Sequence, residues 1–226
     1  MNPASGEGGG CYAPPLMSST SSPALLALHG LRLKGFAEAS TVAELVGLDA
    51  ATVTGELEQA AESDFVMFRD GRRTGWALKP PGRVENERLL AEELDATGHR
   101  DLVQHAYDRF LALNGTMLAV CTRWQVKDAD AQELNDHTDP DYDAAVMAEL
   151  AELDAGVQPI CADLAGVLDR FSIYAPRFTS ALDKLRAGDL EWFTKPMIES
   201  YHTVWFELHE DLLASLGIDR AKEGHA

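Results

Sequence analysis

The sequence is short of cysteine, of long apolar runs and of positive charge, and each shortage narrows what it can do. Three cysteines occur in 226 residues, Cys11, Cys121 and Cys161, an odd and scattered set with no Cys-x-x-Cys spacing. A disulfide framework and a cysteine-built zinc site are therefore not expected, and a reducing cytoplasm fits best. No apolar run approaches the roughly 20 residues that span a bilayer, and the opening stretch lacks the basic and apolar regions of an export signal. Neither export nor a membrane span is expected. Lysine and arginine number 19 against 37 aspartates and glutamates, a formal charge of −18. The whole molecule repels nucleic acid and anionic membrane, so contact with either needs a local basic patch. The same charge predicts solubility.

Signatures of catalysis are also missing. There is no nucleophile elbow, no glycine loop to cradle phosphate, no dinucleotide fingerprint and no cysteine with a histidine partner nearby in sequence. No catalytic residue, cofactor or metal is assigned, and the chain is not read as an enzyme.

What is present begins at Pro23. Residues 1–22 are rich in Gly, Ser and Pro and are expected to form a disordered tail. Leu25, Leu28, Leu31 and Leu33 then repeat at helical spacing. A short second helix is expected after a cap at Ser40 or Thr41, with Gly47 supplying its left-handed stop. Asp49 caps a third helix, Ala50 to about Glu62, with Val53, Leu57, Ala60 and Ala61 inward. "FVMFRDGRRTGWAL" changes period and centres two apolar runs on Asp70-Gly71, the signal of a β-hairpin. "KPPGR" is a proline stop, followed by a helix striped by Leu89, Leu90 and Leu94.

From about residue 98 to 217 the signals are helical throughout. Val103, Tyr107, Phe110, Met117, Cys121 and Trp124 mark one long buried helix, and Pro140 opens another. Pro159 lies inside the second and predicts a kink or break near Gln158. A shorter helix is expected around Phe178 to Leu185, a turn at Gly188 and a last helix from about Pro196 to Leu216. Residues 218–226 are read as a tail.

Two further stretches carry polar chemistry. In "KPMIESYHTVWFELHEDLL", His202 and His209 stand two helical turns apart, too far to share a metal easily. They read as histidines satisfied at a core edge, or, with Tyr201 and Trp205, as the lining of a pocket for a small, partly aromatic ligand. In "LNDHTDPDYD", Asn135, Asp136, His137, Asp139 and Asp141 offer donors to a cation. The stretch lacks the glycine and closing glutamate of a calcium loop, so a capped loop entering the helix at Pro140 is the preferred reading.

The order helix, helix, turn, helix, hairpin resembles the winged helix-turn-helix of bacterial MarR and PadR regulators. The matching residues are Ala43, the turn Gly47-Leu48-Asp49, Thr52-Val53, Leu57, the wing tip Asp70-Gly71-Arg72-Arg73 and the exit Leu78 to Arg83. They span about residues 23–90. The resemblance implies a mainly α chain, with a winged helix-turn-helix over 23–97 and an all-helical domain over 98–217. It further implies a homodimer on double-stranded DNA, the helical domain pairing the chains and housing a small-molecule effector. Thr52, Thr54 and Gln59 of the third helix would face the groove, and Arg69, Arg72, Arg73, Lys79 and Arg83 the phosphates. Arg32 and Lys34 add positive charge in the first helix. Against this, the third helix has no arginine, carries Gly55 where such helices often place one, and presents Glu56, Glu58 and Glu62. A module that docks a basic protein surface instead of DNA is the alternative.

Overall fold

Side chains placed one residue ahead of an apolar stripe set several of the helix starts. In the computed structural model, which describes residues 18–128 and 133–221, Ser22 accepts a hydrogen bond from the Leu25 amide at the start of α1 (Pro23–Lys34). A two-residue strand, β1 (Phe36–Ala37), and then α2 (Ala39–Val46) follow. Asp49 caps α3 (Ala50–Glu62) by accepting from the Thr52 amide at 2.9 Å. Strands β2 (Val66–Arg69) and β3 (Gly75–Leu78) form the hairpin, and β1 pairs with β3 to complete a three-stranded antiparallel sheet. The remainder is α4 (Pro80–Thr97), α5 (Arg100–Gln125), the small pair β4 (Val126–Asp128) and β5 (Glu133–Leu134), α6 (Pro140–Val167), α7 (Tyr174–Arg186) and α8 (Tyr201–Leu216). Short 3₁₀ turns occupy Asp169–Ile173 and Leu190–Trp192. The described chain is mainly helical.

Several sequence expectations need correction. Helix α2 starts at Ala39 after Glu38, so Ser40 and Thr41 lie inside its first turn rather than capping it. Its stop at Gly47, φ 71°, is as expected. "KPPGR" opens a helix, because Pro80 sits where its missing N–H costs nothing. Helix α6 runs unbroken through Pro159. Pro159 and Ala155, whose carbonyl loses its partner there, are both exposed, which leaves that carbonyl open to solvent instead of stranding it in the core. The last helix starts at Tyr201 behind a Ser200 cap, five residues later than its apolar pattern suggests. Residues 18–22 are also not a tail: Ser19 exchanges backbone bonds with Val167 and Asp169, and Thr20 donates to Asp169 at 2.8 Å. The rest of the expected leading tail, with Cys11, lies outside the described residues, as do residues 222–226.

Apolar burial falls into two main cores and a small cluster of Leu25, Leu26, Leu90 and Ala214. Leu28, Leu31, Val42, Val53, Leu57 and Val66 form the first, under α1 to α3 and the sheet. Phe110, Met117, Trp124, Leu150, Ile160, Phe178, Tyr201 and Leu208 anchor the larger second core. Helix α8 gives Leu208 and Leu212 to the second core, while its Ala214 packs with Leu25, Leu26 and Leu90 in the third, smaller cluster. At roughly 25 cal/mol per Å² of apolar area, a helix buried on both faces contributes stability to the second core and to the small cluster against α1 and α4 at once.

Candidate functional site

The hairpin turn is where the scarce positive charge is left unspent. Register pairs Phe68 with Trp76 and Arg69 with Gly75, and the two rings pack with centroids 5.0 Å apart. The turn is closed by the Thr74 hydroxyl donating to Asp70 at 3.2 Å, which leaves Arg69, Arg72 and Arg73 exposed around it. Among the described residues, every lysine and arginine lies within 4.0 Å of a carboxylate except these three and Lys184. Lys184 sits over the Trp192 ring at 3.3 Å. In a chain with 37 acidic residues, three unpaired guanidinium groups at the end of one hairpin form a distinct anion-facing feature.

The other residues expected to face DNA are placed differently. Lys79 pairs with Asp64, and Arg83 points towards Glu210 at 3.8 Å. The Thr52 hydroxyl is held by Asp49 at 2.6 Å and that of Thr54 by the Ala50 carbonyl at 2.7 Å. Gln59 is exposed, beside Glu58 and near Glu62 on the same helix. The Thr52 bonds also hold the Asp49 carboxyl below its ordinary value, so the cap stays ionised. The outward face of α3 is therefore acidic, with its two hydroxyls already committed.

Arg32 and Lys34 turn inward. Arg32 bonds Glu210 at 3.0 Å and Glu87 at 2.9 Å. Lys34 bonds Glu199 at 2.6 Å and Glu207 at 2.8 Å, and Arg177 bonds the same two carboxylates. Deeper in the same seam, Arg170 contacts Asp211, donates to Glu93 at 2.9 Å and to Ser215 at 2.7 Å. Asp211 also accepts from Tyr174 at 2.8 Å, and His29 Nε2 lies 3.1 Å from it. Burial alone would raise the Asp211 carboxyl, but Arg170, His29 and the Tyr174 hydroxyl together hold it well below the ordinary carboxylate value. These partners come from α1, α4, the 3₁₀ turn, α7 and α8, so no local sequence pattern announces them.

A cleft of about 700 Å³ opens beside the hairpin turn. Arg72, Arg73 and Thr74 line one part, Phe36, Ala37 and Glu38 another, and Met197, Ile198, Thr203 and Phe206 the part from α8 and the turn before it. Met197 is 79% exposed and Phe206 47%, so the cleft carries apolar surface left open among the described residues. Sequence reasoning missed it, since its walls come from segments more than a hundred residues apart.

The residues expected to line a ligand pocket divide between the core and the surface of α8. Tyr201, Trp205 and His209 are buried, Tyr201 donating to Asp154 at 3.0 Å, Trp205 to Asn114 at 3.1 Å, and His209 packing on Phe110 with ring centroids 5.4 Å apart. His202 is exposed on the other side of α8, its imidazole lowered by desolvation. None of the four lines the hairpin cleft. The stretch Asn135 to Asp143 is a capped loop. Asp139 caps α6 and bonds Lys127, Asp136 holds Thr138, and Asn135 and His137 both bond the buried Asp143, at 2.8 and 3.0 Å. Burial pushes the Cys121 thiol up to about 11 and the Cys161 thiol to about 12, which leaves both protonated at neutral pH.

Comparison with protein-family models, with curated proteins and with solved structures finds no match to this chain.

Proposed function

We propose that residues 23–97 act as a winged helix-turn-helix that contacts the phosphate backbone of double-stranded DNA through its hairpin, as part of a homodimeric transcriptional regulator. The observation that carries this reading is the set of unpaired arginines, Arg69, Arg72 and Arg73, on the turn that corresponds to the wing tip. The acidic face of α3 makes it a poor reader of base edges, so sequence selectivity would be low and phosphate contact would dominate. The helical part, residues 98–217, would set the spacing of the two wings. With three phosphates per chain and six per dimer, the logarithm of affinity should fall against the logarithm of salt with a slope of about −5. Replacing Arg72 and Arg73 by alanine should cut that slope to about −2 and abolish binding at moderate salt. Fluorescence anisotropy with labelled duplexes over a salt series reads both quantities. Absence of binding by the unaltered protein at low salt would sink the proposal.

The acidic face of α3 favours a second reading, in which that helix docks a basic protein surface. Glu56, Glu58 and Glu62 would then carry the contact, and charge reversal there, rather than in the hairpin, would remove it.

A further inference from the structure

We propose that the cleft between the hairpin turn and α8 binds an organic monoanion with an apolar body, of the alkyl carboxylate class. Its size of about 700 Å³ falls in the range of sites that enclose small molecules. Its charge fixes the sign of the ligand. Glu199 and Glu207 line it but are neutralised by Lys34 and Arg177. The lining groups without a counter-ion among the described residues are Arg72, Arg73 and Glu38; the wall's three cations match its three carboxylates, and Arg177, which does not line the cleft but pairs with Glu199 and Glu207, brings the local balance to one positive charge in a chain that carries −18 overall. Its apolar lining fixes the rest: Met197, Ile198, Phe206 and Phe36 offer contact to an alkyl chain, and two of them are exposed well beyond what a packed side chain tolerates. Met197 holds a left-handed backbone, φ 69°, which turns the chain into α8 and leaves its side chain at the cleft. A carboxylate meeting the two guanidinium groups would make charge-assisted bonds at the wing, with the alkyl part against α8.

Binding at this cleft stands on the geometry alone. A regulatory consequence rests on the DNA reading: the anion and the phosphate backbone would compete for Arg72 and Arg73, so the ligand would release DNA.

Titration calorimetry with decanoate, against decyltrimethylammonium as the cation of matched length, tests the site in the full chain. Decanoate should bind, the cation should not, and the Arg72→Ala/Arg73→Ala variant should bind decanoate at least about tenfold more weakly. Phe206→Ser, a change at a half-exposed position, should weaken decanoate in the same way while leaving DNA affinity unchanged. Equal decanoate binding by the arginine variant, or none by the unaltered protein, overturns the proposal. Decanoate binding without DNA binding would leave the site standing and remove the regulator reading instead.

Discussion

Asp211 is a buried carboxylate on which several elements converge. It is 1% exposed and is met by Arg170, Tyr174, Ser215 and His29. Removing one partner of a buried pair strands the other, which typically costs about 3–5 kcal/mol. Asp211→Asn should lower stability by that order, read from the urea midpoint at pH 7. The pH dependence has a definite sign. The folded carboxyl sits below its ordinary value of 3.8, so its contribution is complete above about pH 5 and is lost as pH falls through 3.8 towards the folded value. The gap between the unaltered protein and Asp211→Asn should therefore narrow as pH drops from about 5 to 3. A gap that stays constant across that range would show that ionised Asp211 contributes nothing.

At the scale of elements, Gly82 shows how one helix is pinned to the hairpin. The Phe65 carbonyl accepts from the Lys79 amide at 2.9 Å, and a Cβ at Gly82 would stand 2.0 Å from that same oxygen. Alanine is the better helix former by about 1 kcal/mol, yet Gly82→Ala should destabilise by about 1–3 kcal/mol because α4 must move off the hairpin. Thermal unfolding of the variant decides which effect wins. Much at this scale was legible in sequence: the Asp49 and Asp139 caps, the Gly47 stop, the hairpin at Asp70-Gly71 and the full extent of α5 each rest on chemistry within a few residues. The elements that were not legible lack such a signal. Two residues, Phe36 and Ala37, show no period from which to read a strand, and β4 and β5 are as short. Pro159 does not break α6: its local cost was visible in sequence, and the exposure that relieves it was not. The arginines of the hairpin were legible as charges, but their lack of partners became apparent only once the other cations among the described residues, Lys184 apart, were seen to be paired with carboxylates.

At the scale of the whole molecule, sequence suggested a winged unit and a helical unit joined near residue 98. Their polar seam argues for strong coupling. His29, Arg32 and Lys34 of α1 all take partners on α8, and the cluster of Leu25, Leu26, Leu90 and Ala214 closes the join. A fragment of residues 18–98 would leave these groups without counterparts. It should melt well below the full chain, and the full chain should unfold in one calorimetric transition. Two resolved transitions, one matching the fragment, would refute this coupling.

The seam also constrains how such a chain can change over generations. Five elements meet at Asp211 and its neighbours, each supplying a charge or a hydroxyl that another element requires. A substitution at Arg170 or Asp211 alone strands its partner, whereas a joint replacement by apolar residues of matched volume can be neutral. The permitted routes are then paired, and single steps between them are barred. Substitutions along this seam should be strongly epistatic, whereas the exposed arginines of the hairpin can each be replaced without stranding a partner in the fold.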